Sequence, residues 1–162
     1  MTKEYEKAIA KYYIKLRIRT IPLISWGLFT THPNEASCFN AIQKKWNSKD
    51  AFYKAVIESK KTIVVTNANY EIVFVSDNIT TMNGYSPQDV IGKSPKIFQG
   101  ELTTEVSKSN IRNAVQNKLP FKEIILNYRK NGTVYLCEIE AYPKFDKKGN
   151  LVNYIAFEKL AS

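Results

Sequence analysis

From Glu4 to Arg19 the apolar residues Tyr5, Ile9, Tyr12, Tyr13 and Leu16 repeat at helical spacing, with lysines at 3, 7, 11 and 15 opposite them. This pattern predicts an amphipathic helix. Pro22 lies at or beyond its end, because proline disfavours helical geometry in the residue before it. Residues 21–29, which include Trp26, read as a short apolar connector that needs cover. His32, Pro33 and Asn34 read as a turn, with Asn34 the N-cap of a helix reaching Trp46. Ser48 reads as the cap of another helix, carrying Ala51, Phe52, Ala55 and Val56 on one side. Residues 1–61 are thus expected to form a helical, amphipathic extension whose apolar faces require a partner.

At Thr62 the period changes. Residues 62–66 and 71–76 are β-rich runs joined by a short polar link, and predict a hairpin. A short helical segment follows over 77–82. Residues 102–119 carry the longest helical pattern of this half, with Leu102, Val106, Ile111, Ala114 and Val115 as the expected buried face and Pro120 as its stop. Three more strands are expected over 121–130, 133–142 and 151–160. Asn131-Gly132 is a strong hairpin signal between the first two, and residues 146–150 make a slightly longer turn. This order predicts an α+β fold, a five-stranded antiparallel sheet with short helices and one long helix on one face. The expected division is 1–61 as extension and 62–160 as domain.

Composition narrows the function classes. A length of 162 residues suits one core with an extension, and 44% hydrophobic with 24% charged residues is a globular balance. No run approaches the about 18 uncharged apolar residues of a membrane span, and the long charged lead without a small-residue cleavage site argues against a signal peptide. Cys38 and Cys137 are too few and too far apart for a disulfide framework or a zinc site, which fits the cytoplasm. His32 is the only histidine, so histidine-dependent catalysis and metal binding lack parts. No nucleophile and base pair is recognisable, and the chain is read as non-catalytic. The formal charge of +9 is concentrated early, with 12 Lys/Arg against 5 Asp/Glu in residues 1–61 and 12 against 10 in the rest. A basic nucleic-acid-associated protein is one alternative, but no nucleic-acid-binding signature accompanies the lysines, and a solvated helix face accounts for them.

The stretch from Asn83 to Gly100, NGYSPQDVIGKSPKIFQG, organises the domain. Together with Ser76-Asp77, Leu126-Asn127-Tyr128, Lys130-Asn131-Gly132 and the turn at 146–149, it resembles a PAS domain over residues 62–160. The nearer resemblance is to the light-oxygen-voltage (LOV) branch, whose members read Gly-x-Asn-Cys-Arg-Phe-Leu-Gln where this chain has Gly92, Lys93, Ser94, Pro95, Lys96, Ile97, Phe98 and Gln99. Pro95 stands where the photoreactive cysteine would be. Ser94 replaces an Asn, Lys96 replaces the phosphate-binding Arg, and Gln99 and Asn127 are retained. Cys137 replaces a second flavin-ring Asn, and Glu158 replaces the Gln that contacts the flavin from the last strand. The whole chain is also similar to free-standing bacterial PAS proteins.

The resemblance implies which face is which. Tyr135, Cys137, Ile139 and Ala141 would face the helices, together with Asn127 and Glu158. The candidate ligand-binding residues are therefore Asn83, Ser94, Lys96, Gln99, Asn127, Cys137 and Glu158, with a closed, ligand-free core as the alternative. On the opposite face Ile124, Leu126, Tyr128, Val134, Leu136, Ile155 and Phe157 would form an apolar patch larger than soluble monomers usually expose. All of these but Val134 are taken as the interaction surface, covered by the N-terminal helices or by a partner, as in a homodimer. The expectation is a sensory or interaction module that senses a small ligand or partner and signals through its sheet, with no metal. No cofactor is expected: an ionised Glu158 offers only acceptors to a flavin carbonyl, and haem lacks a histidine in the domain. The alternative is a cysteine-less flavin photoreceptor holding flavin mononucleotide.

Overall fold

The computed structural model describes residues 33–161. The helix expected over 4–19, the connector at 21–29 and the turn residue His32 lie outside the described residues. Helix α1 (Pro33–Ile42) runs into a 3-10 turn (Gln43–Lys45), and a second helical segment ends in a π-helical turn (Lys54–Glu58). Asn34, expected as a cap, sits inside the first turn of α1, and Trp46 lies beyond its end in extended backbone. Ser48 starts no helix. The chain there is closed by Gln43, whose side chain accepts from the Asp50 N–H at 2.6 Å and donates to the Asp50 carbonyl at 3.2 Å.

The sheet is antiparallel throughout, in the order β2-β1-β5-β4-β3. Its strands are β1 (Thr62–Asn67), β2 (Ile72–Val75), β3 (Phe121–Tyr128), β4 (Val134–Phe145) and β5 (Leu151–Leu160). Val65 pairs with Phe74 but Thr66 pairs with Ile72, so Val73 is an extra residue on β2. That bulge lets Phe74 point to one face of the sheet and Ile72 to the other.

On the inner face, α2 (Ile79–Asn83) is closed by Gly84 at φ 79°, a left-handed position that favours glycine. Helix α3 (Pro87–Val90) is fixed at its start by Asp89, whose Oδ2 accepts from the Ser86 N–H and the Ser86 hydroxyl, both at 2.8 Å, and from Lys130 Nζ at 2.7 Å. Those donors hold the Asp89 carboxyl far below the usual carboxylate range. A 3-10 turn (Pro95–Phe98) follows, capped by Ser94.

Helix α4 (Glu105–Gln116) is shorter than the expected 102–119 and rotated from its expected phase. Leu102 and Val106 are 60% and 70% exposed, whereas Ser107 is buried and Ile111, Ala114 and Val115 are half-buried. The reason is polar. Thr104 caps the helix by accepting from the Ser107 N–H at 3.3 Å, and the Ser107 hydroxyl donates to Glu123 on β3 at 3.1 Å.

Two cores share the sheet. The inner one joins Val64, Ile72, Val75, Ile125 and Cys137 to Ile79, Met82, Val90 and Phe98. The outer one joins Ile63, Val65, Phe74 and Ile155 to Ala36, Phe39, Trp46, Phe52 and Val56, with Phe157 packed against it. Phe39 is wholly buried, with ring centroids 5.4 to 6.0 Å from those of Phe74, Phe52 and Trp46. Trp46 is tied down by its indole N–H, which donates to Asn153 on β5 at 2.7 Å.

Among the described residues this cover packs on β1, β2 and β5 and reaches the end of β4, where the Asn47 N–H donates to the Phe145 carbonyl at 2.9 Å and Lys144 pairs with Asp50 at 2.6 Å, while Ile124, Val134 and Leu136 on β3 and β4 are about half exposed. Tyr128, expected on the outer face, folds over the edge of the sheet instead, because β3 is the last strand. Its hydroxyl accepts from the Leu102 N–H at 2.9 Å and its ring lies against Gly100.

Candidate functional site

Between the inner face and the segment from Ser94 to Gly100 lies a cavity of about 790 Å³. Its floor comes from strand alternation: Val64 and Thr66 on β1, Tyr154, Ala156 and Glu158 on β5, Ile139 and Ala141 on β4, and Ile125 and Asn127 on β3. Its roof is Pro95, Phe98 and Gln99 with the inward side of α4. The surface of this lining is mostly apolar, as in small-molecule sites, although eleven of its 24 residues carry polar or charged side chains. One end is buried and uncharged in its surroundings, holding Asn127 and Glu158. The other end reaches solvent and is basic, with Lys96, Lys108 and Arg112 beside one acid, Glu105, which accepts from Lys108 at 2.9 Å.

Five of the seven candidate ligand-binding residues, Ser94, Lys96, Gln99, Asn127 and Glu158, line this cavity. Ser94 is also a structural cap, its hydroxyl accepting from the Lys96 N–H at 3.4 Å. Asn83 stands outside the lining. It is buried at the end of α2, donating to the Tyr135 hydroxyl at 3.3 Å and accepting from the Tyr85 N–H at 3.1 Å, so its polar atoms serve the frame. Cys137 is also outside the lining. Its thiol lies 3.7 Å from Glu158 Oε2, and burial pushes its ionisation far up, so it is a neutral donor.

Glu158 is 4% exposed. Burial raises its carboxyl to about 7, opposed only by the hydrogen bond from Cys137. Near neutral pH the group is thus half protonated, and a protonated carboxyl offers one donor and one acceptor, as an amide does. Two further buried atoms in the lining, Asn127 Oδ1 and Thr66 Oγ1, have no hydrogen-bond partner. Leaving them so costs about 1 to 3 kcal/mol each. Thr66, Lys108 and Arg112 were not singled out by the sequence reading. Their signals were there: Thr66 falls two residues after Val64 on the inner face of β1, and Lys108 and Arg112 are four apart on one side of α4.

Gly100 closes the roof, and only glycine fits it. A Cβ there would lie 2.5 Å from the Tyr128 ring. Thr103 completes the corner, donating to the Leu126 carbonyl at 2.8 Å and accepting from the Gly100 N–H at 2.9 Å. Among the described residues no cluster of acidic, histidine or cysteine side chains suits a metal ion, and no helix is long and apolar enough to cross a membrane.

A five-stranded sheet with its helices and a cavity on one face defines the class, and the sequence profile of the PAS domain family matches residues 60–159. The chain belongs to the PAS domain family. Within it, the similar proteins include LOV photoreceptors. Residues of this chain are 35% identical to Protein TWIN LOV 1 of Arabidopsis thaliana over 92 residues, 56% of this chain and 23% of that protein. They are 30% identical to a blue-light photoreceptor of Listeria innocua over 105 residues, 63% of this chain and 42% of that protein. The chain therefore spans less than half the length of either relative. Among solved structures, the dark state of the Aureochrome1 LOV domain matches with a TM-score of 0.64 at 28% identity, covering 72% of this chain and 86% of that one. A LOV domain solved in work on a flavin analogue matches with a TM-score of 0.63 at 25% identity, covering 67% and 83%.

Proposed function

We propose that this chain is a non-catalytic sensory module whose cavity takes a planar, amphiphilic small molecule of the flavin mononucleotide type, held without a covalent bond. Residues 62–160 are the sensing domain, and the helical segment before them is the cover through which its sheet reports. The observation that carries the reading is the pair of unpartnered buried atoms, Asn127 Oδ1 and Thr66 Oγ1, in a largely apolar cavity with a basic rim. Buried polar groups are almost always satisfied, and a ligand with a polar ring edge satisfies these.

A flavin fits the residues present. Asn127 Oδ1 accepts a ring N–H, Glu158 in its protonated form donates to a ring carbonyl, and Lys96, Lys108 and Arg112 face an anionic tail at the mouth. Glu158 would be a lost flavin contact only if it were ionised. Its burial removes that condition. Bound flavin supplies blue-light absorption and redox chemistry. This chain's residues bind it, orient its edge and keep water from it, and no thiol is available for adduct formation: Pro95 has none, and Cys137 is protonated and behind the lining.

The test is the visible spectrum of the purified protein and of the protein titrated with flavin mononucleotide, with mass spectrometry of whatever denaturation releases. Saturable binding that weakens when Lys96 and Arg112 are both changed to Ala supports the reading. A flat titration ends the flavin reading, and the released molecule then defines the ligand.

A further inference from the structure

Glu158 is the one carboxyl in the buried end of the cavity, and nothing near it compensates a charge. Its one described hydrogen-bonding partner is the Cys137 thiol at 3.7 Å, a weak donor. From β4 it is faced by Cys137 and Tyr135, both of which burial keeps protonated. From β3 comes the uncharged Asn127, and from β1 Thr62, its cross-strand neighbour. The cations of the cavity, Lys96 from the 3-10 turn and Lys108 and Arg112 from α4, stand at the solvent end, and Lys108 is engaged with Glu105. Lys159 and Glu138, adjacent in the sheet, pair with each other on the outer face at 3.3 Å. A lone buried carboxylate is costly, and such a group takes a proton instead.

We propose that Glu158 is the specificity-determining hydrogen-bond donor of the cavity, loaded with one proton from solvent to hold a ligand carbonyl while Asn127 Oδ1 receives a neighbouring ligand N–H, so that occupancy is linked to pH. This rests on the reading of the cavity as a ligand site, and it holds for any ligand with an amide-like edge. The balance is one proton per ligand: above the titration of the carboxyl, binding takes up a proton and release returns it. By linkage, the ligand raises the carboxyl's hold on that proton to the same degree that the proton raises affinity. The raised ionisation of the empty site, about 7, sets the range in which the effect is seen.

The experiment uses the full chain, flavin mononucleotide as probe, and Glu158→Gln as the variant that always donates. Dissociation constants are measured for both at about pH 6 and about pH 8.5, where the neutral fraction of a group titrating near 7 differs about thirtyfold. The ratio of wild type to variant cancels titration of the ligand phosphate and of the basic rim. The expected result is a ratio that changes about thirtyfold, with the variant the tighter binder at high pH. Equal pH profiles for the two proteins overturn the proposal. A second, ligand-free measurement separates the two readings: the infrared band of a neutral carboxyl that is present in the wild type near pH 6, fades at higher pH and is missing from Glu158→Gln. If neither protein binds the probe but the band is there, the flavin reading fails, while the protonation of Glu158 on which the donor role depends is upheld. If the band is missing near pH 6, Glu158 is ionised and the proposal fails whatever binds.

Discussion

Phe39→Ala tests whether residues 35–58 are an integral cover of the sheet. Phe39 has no exposed surface, and it touches the cover (Trp46, Phe52) and the sheet (Phe74) at once. A buried Phe removes about 150 to 250 Å² from water, which at about 25 cal/mol per Å² is roughly 4 to 6 kcal/mol. The alanine keeps part of that area, while the ring's absence leaves a cavity, and measured Phe→Ala changes in cores run about 3 to 5 kcal/mol. Against a total stability of about 5 to 15 kcal/mol, the substitution consumes a large share. Urea unfolding followed by far-ultraviolet circular dichroism measures it, with Val73→Ala on the exposed β2 bulge as control, expected to cost under about 1 kcal/mol. A loss below about 1 kcal/mol for Phe39→Ala, or an unfolding curve in which the cover melts alone and leaves the sheet intact, refutes the shared outer core.

Gly100→Ala drives a Cβ to 2.5 Å from the Tyr128 ring, an overpacking expected to cost about 1 to 3 kcal/mol, and the cost disappears when the same change is made in a Tyr128→Ala background. The Asp89 carboxyl is held low by Lys130 and Ser86, so the stability it contributes is present above the ordinary carboxylate range and lost only as pH falls through its depressed ionisation. Carbon-detected NMR should find Asp89 ionised where other carboxyls are half titrated, and Lys130→Ala should move it upward; an ordinary titration rejects the Ser86, Asp89 and Lys130 cluster. Glu158 has the opposite sign: raised from 4.5 to about 7, it contributes stability that is full below 4.5 and lost as pH rises to about 7, a loss of about 3 kcal/mol that Glu158→Gln should abolish in urea titrations across that range. In a Trp26→Phe background, the emission of Trp46 should follow the Glu158 titration in wild type and be flat in Glu158→Gln; equal traces would separate the pocket from the cover.

The strand pattern was legible because period-two alternation and the Asn131-Gly132 turn are local signals, and they located β1, β3, β4 and β5 to within a few residues. Longer-range chemistry was less visible. The phase of α4 was misread because Leu102 and Val106 look like a buried stripe, whereas the buried side is set by Ser107 reaching Glu123, a pairing across 16 residues. Asn83 looked like a pocket residue because it opens the organising stretch, yet its partners are Tyr135 and Tyr85. Glu158 was located correctly on the inner face, but its protonation depends on what surrounds it in space, and no sequence pattern states that burial. The outer cover was legible in kind, from the apolar sides of residues 35–58.

Strand β5 is where these observations meet. Its successive residues alternate between the two cores: Tyr154, Ala156 and Glu158 line the cavity, while Ile155 and Phe157 lie in or against the outer cluster and Asn153 holds the Trp46 indole. In a strand each residue's neighbours point to the opposite face, so a displacement of Glu158 is carried by the same backbone to Phe157. The outer side is packed, and packed interiors transmit small shifts where loose ones absorb them. Phe157 in turn faces Tyr142 at a ring separation of 6.3 Å and lies under Lys61, whose ammonium donates to Glu140 at 2.8 Å. Lys61 is the residue that joins the cover to β1. Glu158 is paired across the strands with Thr62, the residue next to Lys61. On β3 the same alternation sets the exposed Ile124 and its neighbour Leu126 beside the cavity residues Ile125 and Asn127. Strand β1 has the same two-sided character, with Val64 and Thr66 on the cavity and Ile63 and Val65 in the outer core, and it follows directly on residue 61, so β1 and β5 together join the cavity to the cover.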